Sequence, residues 1–371
     1  MDKLKLICPC LFGLESVLSG EVKRMGGENI EVTDGRVAFE GDYNMLARAN
    51  LVLRTAERVL ICLAQFKATT FEELFQGVKA IPLENFIGSE DEFPVKGWSL
   101  NSKLHSIPDC QKIIKKACVE RLKAHYGIEW FSETGPLHQI QFSIRKDEVT
   151  IMLDTSGPGL HKRGYRQNSN AAPIKETLAA GIIDLARVKA DTTVIDPFCG
   201  SGTFVIESAL KATNIPSGIN RRFASEKWSD EMAEIFRQER ARALEFVRRD
   251  ATFHGHGYDI DSACTELTRQ NAKKAGISSR ISVGCADIKD FVVPEGDAVV
   301  ICNPPYGERL LEIQEAEKIY KTMGQVFVPK PGVRYFIISP HEDFETIFGR
   351  KADKRRKLYN GMIKCQLYMY F

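Results

Sequence analysis

The sequence predicts a doubly wound α/β domain that ends in an antiparallel hairpin and is preceded by an α+β region. Three observations carry this. From Ala171 onward, strand-like runs alternate with amphipathic helices, the order expected of a parallel sheet covered on both faces. Near the end, KRRKLY and MIKCQLYMYF flank Asn360-Gly361, a strong hairpin signal. Residues 1–155 lack that strict alternation and mix short strands with helices. The 371 residues leave room for two or three such units.

The first region opens with LKLICPC as a strand and GLESVLSGEVKRMG as a helix closed by Gly26-Gly27. RVAFEG and RVLICLAQFKA read as strands, with the helical spacing of YNMLARANLVL between them. Helices are expected over 71–78 and, with a basic face, over 111–126. QIQFSI and EVTIMLD alternate around Arg145-Lys146-Asp147, which makes a hairpin. Residues 156–170, SGPGLHKRGYRQNSN, have the turn and charge composition of a linker. Helix LAAGIIDLARV and strand TVIDPF follow, then a helix from Thr203, strand GYDI and helix TELTRQNAKKAG. Strands ISVGCADI and DAVVICNPP, a helix over 311–326 and strand RYFIIS complete the alternation.

Composition fits a folded globular chain, with 43% hydrophobic and 27% charged residues. A net charge of +2 neither demands nor excludes a nucleic acid partner, so local charge must decide. No apolar run reaches the roughly 18–20 residues of a membrane span. The apolar N-terminal stretch is interrupted by Cys8-Pro9-Cys10, so no signal peptide and a cytoplasmic location are expected. The ten cysteines form no CxxC pair and read as reduced thiols. His254-Gly255-His256 has no further ligand at metal-binding spacing, so no metal is expected.

Chemistry concentrates at the ends of the later strands. TVIDPFCGSGTF places Asp196 at a strand end, before a turn in which Gly200 and Gly202 permit close backbone approach to a ligand. The loop, with Phe198, Cys199, Ser201 and Thr203, is not the GxGxxG of a pyrophosphate cradle. A carboxylate there suits the ammonium of an amino-acid moiety. Asp259 and Ile260 follow the second strand, where the carboxylate can accept from ribose hydroxyls. Asp287 and Ile288 follow the third, where it can accept from an adenine amine. Each Asp alone could be a helix N-cap. Three in order describe S-adenosylmethionine better than a dinucleotide. Asp196 and Asp259 lie farther apart than a plain βαβ unit needs. An insertion over 212–250 is therefore expected, either a lid, an RNA-contacting element or a solvated charged helix.

Asn303-Pro304-Pro305-Tyr306 follows the apolar strand DAVVIC. An aromatic exocyclic amine is a poor nucleophile because its lone pair is delocalised into the ring. The side-chain carbonyl of Asn303 and the backbone carbonyl of Pro304 can each accept one of its N–H bonds, aiming the lone pair at a methyl donor. Pro305 helps fix the turn, and Tyr306 is expected to stack on the base. Reaching a base this way means flipping it or using a single strand. Cys199 and Cys302 read as small packed residues.

LHKRGYR, APIKETLAAGII, DPFCGSGTFVIESAL, GYDID and NPPYGERL together resemble the THUMP-domain class I RNA methyltransferases, most closely the type that methylates guanine N2 in 23S ribosomal RNA. The resemblance runs from about residue 45 to the end. It implies a Rossmann-like class I sheet over 171–371, a ferredoxin-like module over 1–44 and an RNA-binding THUMP domain over 45–155. It also implies S-adenosylmethionine as donor, with S-adenosylhomocysteine as product, and RNA as partner. Some family members carry a second methyltransferase unit, and a one-methyltransferase, monomeric version is expected here. Three basic runs are candidate RNA contacts: Lys112, Lys115 and Lys116; Lys162, Arg163 and Arg166; Arg355 and Arg356. Transfer RNA guanine N2 and nucleic-acid adenine N6 are the alternative targets. A non-catalytic RNA-binding or assembly factor is the alternative of another class.

Overall fold

Two seven-stranded sheets organise the protein, and the functional strand ends belong to the second. A computed structural model describes residues 3–166, 174–307 and 310–371. The expected domain start at Ala171, part of the APIKE motif, and Glu308 and Arg309 of NPPYGERL lie outside the described residues.

The first sheet is built from β1 (Leu4–Pro9), β2 (Glu28–Thr33), β3 (Arg36–Gly41), β4 (Leu60–Lys67), β5 (Val95–Leu100), β6 (Ile140–Arg145) and β7 (Glu148–Asp154). Its order is β2-β3-β1-β4-β7-β6-β5. Helices α1 (Glu15–Met25), α2 (Tyr43–Val52), α3 (Phe71–Lys79) and α4 (Ile107–Tyr126) accompany it. Strand β4 pairs with β1 on one side and β7 on the other, so one sheet runs through the whole N-terminal region. The expected boundary near residue 44 falls at the start of α2. Strand β2 was not anticipated. Its sequence ENIEVT is exposed almost throughout, and its apolar alternation is limited to Ile30 and Val32.

In the second sheet, β8 (Thr193–Asp196), β9 (His254–Asp259), β10 (Ile281–Cys285), β11 (Ala298–Cys302) and β12 (Val333–Ser339) are parallel. Strand β13 (Lys354–Asn360) is followed by β14 (Ile363–Tyr370), which inserts antiparallel between β12 and β13. The order β10-β9-β8-β11-β12-β14-β13 bears out the expected class I arrangement with a terminal antiparallel hairpin. Asn360 pairs with Ile363, so the turn centres on Gly361-Met362, one residue later than expected. Helices α5 (Glu176–Leu185), α6 (Thr203–Ala212), α8 (Ser262–Lys274), α9 (Leu310–Val326) and α10 (Phe344–Phe348) complete this unit.

The remaining helix, α7 (Asp230–Glu245), lies in the insertion between α6 and β9. It is neither a lid nor a solvated helix. Met232, Ile235 and Phe236 join the core of the N-terminal region, and Phe236 stacks on Phe223 with ring centroids 5.3 Å apart. Arg48 of α2 donates to both oxygens of Glu239, at 2.9 and 2.7 Å. Trp228 stacks on His138 at 4.6 Å and donates its indole N–H to the Leu137 carbonyl at 3.0 Å. The insertion is a strap that fastens the catalytic unit to the N-terminal sheet.

The segment expected to be a linker is also structural. Arg163 is buried and donates to the carbonyls of Leu160 at 2.8 Å and Arg54 at 2.5 Å. Its guanidinium lies 3.5 Å from Glu207 of α6, which accepts from the Tyr165 hydroxyl at 3.0 Å. Arg166 pairs with Glu176 of α5 at 2.8 Å. Glu57 accepts from Thr177 and lies 3.4 Å from Lys175. Burial alone would raise the Glu57 pKa. The hydrogen bond from Thr177, the charge of Lys175 and the His161 ring 3.7 Å away outweigh it and hold the group at about 2.

Two predictions follow from this joint. Phe236→Ala removes a fully buried ring from the strap and should cost about 3–5 kcal/mol in denaturant unfolding. A loss below about 1 kcal/mol would contradict the packing described. Because the folded pKa of Glu57 is depressed, its contribution is present above about pH 4.3 and is lost as pH falls toward 2. The stability gap between wild type and Glu57→Gln should therefore be about 3 kcal/mol at pH 6 and close on acidification. A gap independent of pH would refute the assignment.

Candidate active site

The strand order places four strand ends around one crevice. Strand β8 neighbours both β9 and β11, and the chain leaves it toward one side and returns on the other. Ligands bind at such a switch point, outside the carboxyl ends of the strands. The crevice is a cavity of about 550 Å³. That is an ordinary size for a cofactor site. Asp196, Phe198, Cys199, Gly200, Ser201, Thr203, Asp259, Ile260, Asp287, Ile288, Asn303, Pro304, Pro305 and Tyr306 all line it. Of the cofactor candidates, Gly202 alone does not reach the surface of the cavity. It caps α6 at φ +85°, and a Cβ there would meet Thr268 at 2.7 Å.

Backbone bonds shape the turn after β8. The Cys199 N–H donates to the Tyr258 carbonyl at 2.8 Å, tying the turn to β9. The Gly200 N–H donates to Asp259 at 2.9 Å. From α8, Thr268 donates to the Gly200 carbonyl at 2.8 Å and Asn271 to the Ser201 carbonyl at 2.9 Å. Thr268 and Asn271 were not expected from the sequence. They lie in TELTRQNAKK, whose polar residues look like an ordinary solvated face.

All three aspartates also do local work. Asp196 accepts from the Phe198 N–H at 3.0 Å, Asp259 from the Asp261 N–H at 3.0 Å, and Asp287 caps a short turn by accepting from the Lys289 N–H at 3.0 Å. Only Asp287 is a cap; Gly202 and Asp261 cap α6 and α8, while Asp196 and Asp259 brace the turns that follow their strands. Burial pushes the Asp196 carboxyl well above the usual carboxylate range, and the charge of Asp259 adds to this. Among the described residues no cation is ion-paired with Asp196. A ligand ammonium beside it would supply the missing countercharge, which fits an amino-acid moiety. Asp287 is shifted the other way, held low by the Lys289 N–H and ammonium.

Strand β11 is buried throughout and delivers Asn303 to the rim of the crevice. Tyr320 of α9 is fully buried and donates its hydroxyl to the Pro305 carbonyl at 2.7 Å. This fixes the loop from beneath. Tyr306 departs from expectation. Its hydroxyl donates to the side-chain oxygen of Asn303, the atom expected to hold the amine, and its ring packs against the core of the sheet. Tyr306 thereby satisfies Asn303 and packs its ring rather than presenting a free stacking face.

The basic runs are mostly committed within the protein. Lys115 donates to Glu133 at 2.7 Å and to the Phe93 carbonyl at 3.1 Å. Arg355 pairs with Glu345 at 3.3 Å, and Arg356 donates to the Gly13 carbonyl at 2.7 Å and to Ser16 at 2.9 Å. Arg163 and Arg166 serve the joint described above. Lys112, Lys116 and Lys162 stay exposed. Among the described residues, no cluster of three or more His, Cys, Asp or Glu could hold a metal ion, and no helix is long and apolar enough to cross a membrane.

Comparison with known proteins finds three domain families along the chain. Residues 163–369 match the RMKL-like methyltransferase domain, 5–60 the RlmL ferredoxin-like domain and 68–154 the THUMP domain. YpsC of Bacillus subtilis (strain 168), provisionally named an RNA methyltransferase, is 44% identical over 100% of this chain and 97% of its own length. The ribosomal RNA large subunit methyltransferase K/L of Psychromonas ingrahamii is 33% identical over 99% of this chain, which spans about half, 50%, of that protein. Among solved structures, SMU.472, provisionally named a methyltransferase and complexed with SAH, superposes with a TM-score of 0.93 at 40% identity, over 100% of this chain and 98% of the other. A predicted N6-adenine-specific DNA methylase from Listeria monocytogenes superposes with a TM-score of 0.94 at 43% identity, over 100% of this chain and 97% of the other. With a matching methyltransferase domain over more than half its length and a relative this similar from end to end, the chain belongs to the RMKL-like methyltransferase family.

Proposed function

We propose that this protein is an RNA methyltransferase that uses S-adenosylmethionine and acts on the exocyclic N2 amine of a guanine, in 23S ribosomal RNA. One observation carries the reading. Asn303-Pro304-Pro305 opens on the same cavity as Asp196, Asp259 and Asp287, so an amine acceptor site adjoins an acid-lined cofactor site. A THUMP domain and relatives named for RNA methylation support RNA as the substrate class.

When bound, S-adenosylmethionine supplies an electrophilic sulfonium methyl group. Asp196 is placed to take the ligand ammonium, Asp259 the ribose hydroxyls and Asp287 the adenine amine. Asn303 and the Pro304 carbonyl each accept one N–H of the target amine. This holds its lone pair toward the methyl side and favours the positive charge that builds on nitrogen. The donor would supply the methyl group that the amine takes up, and the methylated amine would give one proton to solvent while Asn303 and the Pro304 carbonyl hold it. Tyr306 must release Asn303 for the base to enter, and its freed ring is then available to stack on that base. Tyr320 keeps the loop in place through Pro305.

Adenine N6 is the second reading. The two acceptors fit either amine, and the related Listeria structure is named for adenine methylation. Methylating unmodified ribosomal RNA with labelled donor and analysing the nucleosides separates the two. Label in N2-methylguanosine is expected; label in N6-methyladenosine would transfer the proposal to adenine, and no label in RNA would end it.

Variants test the roles. Asn303→Ala should lower methyl transfer by at least about 100-fold and leave donor affinity within about threefold. Near wild-type turnover would refute the role of Asn303. Asp259→Ala should weaken donor binding at least about tenfold in calorimetry, since both a ligand contact and the Gly200 bond are lost. An unchanged dissociation constant would count against it. Tyr320→Phe leaves the Pro305 carbonyl without its partner. It should reduce kcat about tenfold with donor affinity unchanged. An unaltered kcat would show that Tyr320 only packs.

A further inference from the structure

A second cavity, of about 490 Å³, lies where α1, α5, α6, the strap helix α7 and the end of α2 meet. It is separate from the catalytic crevice. Helix α6 carries Thr203 in the wall of the crevice and Lys211 in the wall of this cleft, eight positions apart. That spacing is about 12 Å along a helix. The crevice sits at the carboxyl ends of the parallel strands, and this cleft at their amino ends.

Its charge is one-sided. Seven Lys and Arg residues line it among the described residues, against Glu21, Asp184 and Glu239. Those three carboxylates are already engaged. Glu239 is taken by Arg48, Asp184 by Lys211 at 2.8 Å, and Glu21 by the Thr55 hydroxyl and N–H and the Arg54 N–H. Helix C-termini favour nearby cations, and five helices, α1, α2, α5, α6 and α7, end here. Each terminus contributes only about half a negative charge, so a positive surplus of about one and a half remains. Lys189 and Arg248 make that surplus available. Both are exposed on the rim, and neither has an ion-pair partner among the described residues.

We propose that this cleft is a second, phosphate-binding site, which takes backbone phosphates of the bound RNA away from the target base. The proposal rests on RNA being the substrate. Lys189 and Arg248 are the entry contacts, with the deeper Lys211 and Arg48 adding field rather than free donors. Backbone contacts of this kind fix register on an RNA without reading its sequence. They explain how a base could be held in the crevice while most cations of the expected basic runs are committed elsewhere.

The test is the double variant Lys189→Glu with Arg248→Glu in the full chain. Both side chains are exposed, so folding is spared, which a thermal melt checks. Calorimetry with tripolyphosphate should show wild-type binding and at least tenfold weaker binding by the variant. The log–log salt dependence of ribosomal RNA binding should flatten by about 1.5 to 2. Loss of tripolyphosphate binding with an unchanged salt slope would overturn RNA as the source and assign the site to a free polyphosphate. No tripolyphosphate binding by wild type and an unchanged slope would overturn the site itself. Donor binding and methyl transfer by the wild type, measured in parallel, show separately whether the methyltransferase reading stands.

Discussion

The parallel pairing of β8 with β9 and β11 is the constraint on which the rest depends. It aligns strand ends that the chain separates by more than a hundred residues. Asp196, Asp259 and Asn303 face one cavity because their strands stop together. A one-residue slip of β8 would turn Asp196 to the other face of the sheet. Strand β11, buried at every position, packs the centre of the sheet. Strand β14 continues the sheet beyond β12, and Asn360 and Ile363 at its turn reach the rim of the crevice. The terminal hairpin thus shapes the site as well as closing the sheet.

A second constraint is the joint between the two halves. Arg163, Glu207 and Tyr165 form a buried polar set between them, and the strap packs Phe236 into the N-terminal core. Buried ion pairs often add little net stability against an apolar alternative, while removing one partner is costly. The benefit here is geometric. The THUMP region is held in one orientation to the crevice, so an RNA bound by one meets the other at a fixed distance. The basic cleft lies at that same joint.

The strand ends were legible because each signal is local. Apolar runs ending in Asp196 or Asn303, with Pro197 or Pro304 next in sequence, need no long-range information. The hairpins β6–β7 and β13–β14 were legible for the same reason. The unread parts depend on partners distant in sequence. Arg356 looked like a surface cation, yet its acceptor Gly13 lies 343 positions away. Arg163 belonged to an apparent basic linker because Glu207 was not in view. The strap helix, rich in charge, hid three apolar residues at helical spacing, Met232, Ile235 and Phe236. Strand β2 was missed because an exposed edge strand needs no apolar face. The bond from Tyr306 to Asn303 was missed because the motif was read for its base-bound state.

The central claim is that one crevice holds both the methyl donor and the amine acceptors. A crystal structure with S-adenosylhomocysteine tests it most directly. The account predicts the ligand ammonium within about 3.2 Å of the Asp196 carboxylate. It also predicts the ribose at Asp259 and the sulfur facing Asn303. A ligand lying in the reverse sense, or bound away from these strand ends with Asn303 remote from its sulfur, would contradict it.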